Sequence, residues 1–228
     1  ISGSIDEHIR HAVSKLSNLH FVANQEAKRR LIQMGEREET IFVTGSPDID
    51  IMNSPSLPEW SEVKAHYRVP FDDFALLIFH PVTTELSNFS SHANQLAAAL
   101  LESDMNYIVI YPNNDPGTDT ILDAYQKNLF NHPRFAVYPS LRFEYFLTML
   151  KNARFIIGNS SAGIREAPYY GVPTINIGSR QSGRVRVGAV ESIRHCDYDK
   201  DSVLALIKEV RSLRMRYPLT RMFGDAGS

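Results

Sequence analysis

Arg154-Phe155-Ile156-Ile157-Gly158-Asn159-Ser160-Ser161-Ala162-Gly163, continued by Ile164–Tyr169, decides how the chain is read. An apolar run long enough for a strand (Arg154–Ile157) meets a turn of small residues (Gly158–Gly163), and a helical stretch, Ala162–Tyr169, follows. The same strand-turn-helix unit recurs on both sides. Apolar runs at Phe74–Phe79, Tyr107–Tyr111, Phe135–Tyr138 and Pro173–Ile177 read as strands. Helical stretches lie at about Ser90–Leu101, Thr118–Leu129, Phe143–Leu150 and Ser202–Arg214. Regular alternation of this kind predicts an α/β fold: a Rossmann-like, doubly wound parallel sheet with helices on both faces. Nearly continuous apolar strands fit a sheet covered on both sides.

The region before residue 55 is α/β as well. Ser4 and Glu7 have the spacing of a capping box, and Ile5, Ile9, Ala12, Val13 and Leu16 share one helical face. A strand at Leu19–Ala23 precedes an Asn24-capped helix that runs to Met34 and stops at Gly35. Ile41–Val43 reads as a second strand, followed by a turn at Gly45-Ser46-Pro47-Asp48. The Pro/Ser-rich stretch Asn53–Pro58 is the linker candidate, which sets the expected domains at residues 1–55 and 56–228.

Composition narrows the function classes. Across 228 residues, 24 Lys+Arg against 26 Asp+Glu give a formal charge of −2, so no electrostatic case exists for a nucleic-acid or membrane partner. With 43% hydrophobic and 22% charged residues, the chain is a folded globular one. Its longest apolar runs, Phe74–Phe79 and Leu96–Leu101, fall far short of the roughly 18 residues of a membrane span. A single cysteine, Cys196, excludes a disulfide framework and a cysteine metal cage, and makes the cytoplasm the expected compartment. The polar, helix-forming first residues are not those of a signal peptide.

In open parallel sheets, ligands bind where the chain leaves the carboxyl ends of the strands. That rule selects His80–Glu85, Pro112–Asp115, Pro139–Leu141, Gly158–Gly163 and Gly178–Gln181, where hydroxyls, amides, a histidine and an arginine are concentrated. Small residues at Gly158–Gly163 let a backbone approach a ligand, and a helix starting near Ala162 would present unpaired N–H groups to a phosphate. Ser160 and Ser161 add hydroxyl donors, and Glu166 stands where it can accept from a ribose. Two other readings stay open on the residues alone. The loop can be a Ser-capped turn, or Gly158-Asn159-Ser160 can be a near miss of the G-x-S-x-G nucleophile elbow, with Ala162 in the last position and His195 and Asp197 downstream. His80 reads equally as a cleft residue or as a satisfied histidine at a strand end, and Arg180 and Arg184 as diphosphate partners or solvated cations. No Walker motif, dinucleotide fingerprint or metal-ligand spacing is present.

Four segments carry a resemblance. "GNSSAGIREAPYYGVPTINIGSRQSGR" at Gly158–Arg184, "SIDEHIRHAVSKLSNLHF" at Ser4–Phe21, "HPVTTE" at His80–Glu85 and "YPNNDPGT" at Tyr111–Thr118 resemble the hydrolysing UDP-N-acetylglucosamine 2-epimerases of sialic and legionaminic acid synthesis. "FGDAG" at Phe223–Gly227 extends the likeness across the chain. The resemblance implies a glycosyltransferase-B fold, of which this chain holds the end of the first Rossmann-like domain and nearly all of the UDP-binding second one. An N-terminal arginine and further acids would lie outside it.

By position, the resemblance makes Asp6 and His80 catalytic: Asp6 for proton transfer at the sugar, His80 near the departing phosphate. It makes Ser160, Ser161 and Glu166 ligands of the diphosphate and ribose, and places Arg180 at the phosphates, Asn113 along the cleft and the backbone around Phe146 at the uracil. It implies a UDP-sugar substrate, no cofactor, no metal, and a homo-oligomer, dimer or tetramer. The reaction implied is loss of the C2 proton with C1–O cleavage to a glycal, then addition of water to release a free manno-configured sugar; the alternatives are a glycosyltransferase of the same fold and a UDP-binding fragment without activity. Asn159-Ser160-Ser161-Ala162, where non-hydrolysing relatives carry a D-S-G-G type loop, favours the hydrolysing branch. "GSPDID" at Gly45–Asp50 with the "PNND" loop looks closer to the legionaminic branch, whose substrate is UDP-N,N′-diacetylbacillosamine, with UDP-N-acetylglucosamine close behind.

Overall fold

The computed structural model describes residues 5–82, 85, 88–182, 188–213 and 215–221, with side chains from His8 onward. They form two compact units that divide between Leu57 and Pro58, Arg221 belonging with the first.

In the first unit α1 (Ile5–Leu16) leads into β1 (His20–Val22), α2 (Gln25–Gln33), a 3₁₀ turn at Glu38–Thr40, β2 (Ile41–Val43) and α3 (Pro47–Met52). The two strands pair in parallel, His20 opposite Ile41 and Val22 opposite Val43. Asn24 caps α2 by accepting from the N–H of Ala27 at 2.9 Å, and Gly35 ends the segment with φ +88°. The apolar stripe of α1 is open: Ile9 is 56% exposed and Leu16 85%. The expected turn at Gly45–Asp48 is the start of a helix instead. Pro47 takes the first position of α3, where a missing N–H costs nothing, and Asp48 and Asp50 lie in its first turn.

The second unit holds α4 (Trp60–Tyr67), β3 (Ala75–Ile78), α5 (Phe89–Glu102), β4 (Tyr107–Ile110), α6 (Thr118–Asn128), β5 (Phe135–Tyr138) and α7 (Phe143–Asn152). After these come β6 (Ile156–Gly158), a 3₁₀ turn (Ser161–Gly163), α8 (Glu166–Tyr169), β7 (Thr174–Ile177), β8 (Ile193–Cys196) and α9 (Lys200–Arg211). Its strands form one sheet in the order β5-β4-β3-β6-β7-β8. Every pairing is parallel. Successive side chains of a strand point to opposite faces. Ala75 and Leu77 of β3, Tyr107 and Val109 of β4 and Ile175 and Ile177 of β7 therefore join Leu96 of α5, Ile121 of α6 and Ile207 of α9 in one core. Leu76, Ile108 and Ile156 point the other way and are equally buried. Both faces are covered, as the continuous apolar runs require.

Sequence reasoning did not call α4 or β8 in this unit. Ile193-Arg194-His195-Cys196 lacks an apolar run because it is an edge strand, with three of its residues half-exposed. α4 buries only Val63, so its helical periodicity is faint. The stretch from Ala162 is corrected too. It is a single 3₁₀ turn and one turn of α-helix, because Pro168 has no N–H and its ring would collide with the carbonyl of Ile164 in a continuous helix. Among the described residues no helix is long and apolar enough to cross a membrane.

Candidate active site

The chain leaves β3 toward β4 on one side of the sheet, and β6 occupies its other side. This reversal of strand order is the switch point at which such sheets open a crevice. A cleft of about 280 Å³ lies there, and the end of β3 supplies His80, the end of β4 Tyr111, and the turn after β6 Ser160 and Ser161. Leu141, just before α7, and Phe143 and Phe146 from its first turn add apolar lining, and Glu166 lines the cleft as well. Phe146 and Glu166 are buried, at 8% and 9% exposure.

Gly158 makes the turn. Its φ of +129° is open to glycine, and a Cβ there would stand 2.0 Å from the carbonyl oxygen of Ile78. Asn159 follows, fully buried, with its N–H donating to Ile78 O at 3.1 Å. Its side-chain Oδ1 accepts from the N–H of His80 at 2.7 Å, and its Nδ2 donates to the His80 carbonyl at 2.8 Å. The Asn159 carbonyl accepts from Arg180 Nη1 at 3.1 Å and from Gln181 Nε2 at 2.8 Å.

The phosphate cradle differs from the expected one. With α8 reduced to one turn, no summed helix dipole is available at Ala162. The N–H of Ala162 donates to Ser160 Oγ at 3.3 Å, and those of Gly163, Ile164 and Arg165 are taken by the carbonyls of Ser160 and Ser161. The N–H groups of Ser160 and Ser161 take no partner among the described residues. Those two amides and the two hydroxyls are the donor set a phosphate would meet.

His80 is oriented by the next loop. The N–H of Asn113 donates to its Nδ1 at 3.0 Å, which leaves the imidazole proton on Nε2. Asn113 itself is tied to Asp115 through its side chain, and its carbonyl accepts from Thr118 Oγ1. Burial, reinforced by the Arg180 cation, drops the His80 pKa from 6.5 to about 4, with Asp115 opposing. At neutral pH the residue is therefore a neutral imidazole with a single N–H to give. The unfolded chain takes up this proton at higher pH than the folded one. Stability is thus complete above pH 6.5 and falls, by on the order of 3 kcal/mol, as pH drops toward 4. Urea unfolding at pH 7 and pH 4.5 should show that loss in the wild type and a clearly smaller one in His80→Gln; equal losses would mean that His80 is not the group responsible.

Of the other expected residues, Arg180 reaches the Asn159 carbonyl, and Asp6 lies in α1 with its side chain outside the described residues. Arg184, Thr83, Thr84 and the "FGDAG" segment are also outside them. Glu85 accepts from the Tyr198 hydroxyl at 2.7 Å and from Ser179 Oγ, which pins the end of the "HPVTTE" loop to the segment after β7. Tyr111, Leu141, Phe143 and Asn159 were not singled out from sequence, although each lies in, or next to, a loop that the strand-end rule selects. The nucleophile-elbow reading fails on geometry. His195 lies on β8, two strands or about 10 Å from Gly158, and its Nδ1 is engaged with Asn176 Nδ2 at 3.1 Å. Among the described residues no three His, Cys, Asp or Glu side chains group as a metal site.

Comparison with known proteins agrees with this architecture. The chain is 49% identical over 213 residues to the UDP-N-acetylglucosamine 2-epimerase of Neisseria meningitidis serogroup B, covering 93% of this chain and 55% of the relative. It is 34% identical over 225 residues to the UDP-N,N′-diacetylbacillosamine 2-epimerase (hydrolyzing) of Legionella pneumophila, covering 98% and 58%. The chain thus spans a little over half the length of these relatives. Among solved structures, the Methanocaldococcus jannaschii UDP-GlcNAc 2-epimerase in complex with UDP-GlcNAc and UDP superposes with a TM-score of 0.70 at 22% identity, over 93% of this chain and 59% of that one. Since the family model for UDP-N-acetylglucosamine 2-epimerase matches from residue 1 to residue 228, the chain belongs to that family.

Proposed function

We propose that the protein containing this chain is a hydrolysing UDP-N-acetylhexosamine 2-epimerase acting on UDP-N-acetylglucosamine, with this chain supplying the nucleotide-binding half. The observation that carries the reading is the cleft at the switch point, which is lined by a neutral N–H donor, His80, together with Ser160 and Ser161, whose amides take no partner among the described residues. UDP would set its uracil against Phe146 and its neighbours, its ribose near Glu166, and its diphosphate on Ser160, Ser161 and Arg180, with Asn113 bordering the site. Among relatives of known name, the 49% match is named for UDP-N-acetylglucosamine and the 34% match for the diacetylated bacillosamine sugar. Four residues of "GSPDID", which pointed to the second sugar, form the first turn of α3.

In the proposed reaction a base removes the C2 proton while the C1–O bond to UDP breaks, leaving a 2-acetamidoglucal. Water then adds, its hydroxyl to C1 and a proton to C2 from the opposite face, and the free manno-configured sugar departs. Charge gathers on the β-phosphate as the C1–O bond lengthens, and in this reading His80 Nε2–H donates to it. Asp6 is the proposed proton-transfer acid, on its place in the sequence alone. Release of free sugar rather than a UDP-linked epimer is supported by the hydrolysing Legionella relative and the N-S-S-A loop. Feeding UDP-N-acetylglucosamine in water to the whole protein should give UDP and free N-acetylmannosamine by NMR. A product still linked to UDP, or no product, would overturn the proposal. Ser161→Asp, which sets a carboxylate against the diphosphate, should weaken UDP binding by calorimetry about a hundredfold or more; unchanged affinity would move the phosphates elsewhere.

A further inference from the structure

We propose that Asn159 is a positioning residue for His80: its side-chain amide takes the place of a sheet ladder where the ladder has ended, and so sets where the imidazole proton points. The inference rests on the cleft reading above and extends it to a fully buried residue that does not line the cleft.

β3 makes its last register pairs at Ile78, opposite Gly158 on one side and Ile110 on the other. His80 is two residues further on, beyond the reach of either neighbouring strand's main chain. Pro81 follows and has no N–H with which to anchor the segment. Both main-chain groups of His80 are instead satisfied by one side chain, N–H to Oδ1 at 2.7 Å and C=O from Nδ2 at 2.8 Å. Only a primary amide offers a donor and an acceptor at that spacing, and this one is wholly buried. The amide is itself fixed, because the Asn159 N–H is bonded to Ile78 O and its carbonyl holds Arg180 and Gln181.

The consequence falls on the ring. The 3.0 Å contact from the Asn113 N–H to Nδ1 exists only if the main chain of His80 stays in place, and that contact determines which nitrogen carries the proton. Asn159 therefore acts on the ring through the backbone, with Asn113 as the second clamp. Its carbonyl is present whatever the side chain, so a substitution at 159 loosens His80 while the main-chain anchor of Arg180 is retained.

The test uses the whole protein with ¹⁵N-labelled histidine, in the wild type, in Asn159→Ala and in the near-isosteric Asn159→Leu, which keeps the branched shape and loses both the acceptor and the donor. In the wild type, long-range ¹H–¹⁵N spectra should show His80 as one tautomer with the proton on Nε2; a proton on Nδ1 overturns the proposal with no variant needed. In variants that retain the wild-type circular dichroism, His80 should give averaged tautomer shifts. kcat should fall about tenfold to a hundredfold, with the Kd for UDP within about threefold. A variant with wild-type His80 shifts, or with wild-type kcat, refutes the positioning role. The tautomer is read without substrate, so a whole protein that proves not to release free sugar overturns the proposed reaction and leaves this measurement standing.

Discussion

His80→Ala should lower kcat for release of free sugar by about 10²–10³, while the dissociation constant for UDP stays within about threefold. The split follows from the chemistry of the donor. A neutral imidazole gives one hydrogen bond, and to a ground-state phosphate, whose charge is already spread over several oxygens and met by the amides of Ser160 and Ser161, one more neutral donor adds little. As the C1–O bond breaks, a further charge develops on the β-phosphate oxygen. A fixed N–H aimed at that position strengthens as the charge grows, and no solvent has to reorganise to provide it. Loss of an interaction made chiefly in the transition state lowers kcat and kcat/KM together.

The same argument fixes the pH behaviour. With the His80 pKa at about 4 in the free protein, its titration leaves no inflection in kcat/KM between pH 5.5 and 8. A protonated imidazole would also need to donate from Nδ1, straight into the N–H of Asn113. Single-turnover measurements with the whole protein, alongside UDP calorimetry, separate the two parameters. An alanine variant with wild-type turnover removes His80 from the chemistry, and one that instead loses UDP binding makes it a nucleotide ligand.

The sheet was legible because burial leaves a strong mark: β3, β4, β5 and β6 coincide with runs of apolar residues, and β7 carries Ile175 and Ile177 between Thr174 and Asn176. β8, an edge strand, left no such mark, because Arg194 and His195 stand side by side at its centre. Pro47 was ambiguous for a different reason. The residue types that make a turn also start a helix, and only the bonds that follow tell them apart. Within the site, the loops were legible from strand ends alone, but the roles inside them were not. Ser160 was expected to give hydrogen bonds to a phosphate, yet its hydroxyl also accepts from its own backbone two residues on. Asn159 looks like an ordinary turn residue in sequence. Its function depends on a partner 79 positions away, and no local pattern records that pairing.

Gly158→Ala should be severely destabilising, costing about 4 kcal/mol or more and yielding little folded protein. Two effects act on the same atom. At φ +129° an alanine is held in backbone territory reserved for glycine, a strain of roughly 1–3 kcal/mol. Its Cβ would also lie 2.0 Å from Ile78 O and 2.7 Å from Ile78 C, inside van der Waals contact with main chain rather than with a side chain that can turn aside. Relief requires β3 and β6 to separate at their last register pair, Ile78 opposite Gly158. Those are the central strands of the sheet, so the gap opens at the switch point and breaks the Asn159 N–H bond to Ile78 O, after which neither clamp on His80 can persist. Gly163→Ala is the natural comparison. A Cβ there meets the Thr174 methyl at 2.7 Å, and turning that buried side chain aside costs its hydrogen bond to the Gly163 carbonyl but leaves the main chains of β3 and β6 in place. Urea melts should therefore show Gly158→Ala as the less stable of the two, by about 2 kcal/mol. If Gly158→Ala unfolds no earlier than Gly163→Ala, the close approach of β6 to β3 is not what shapes the cleft.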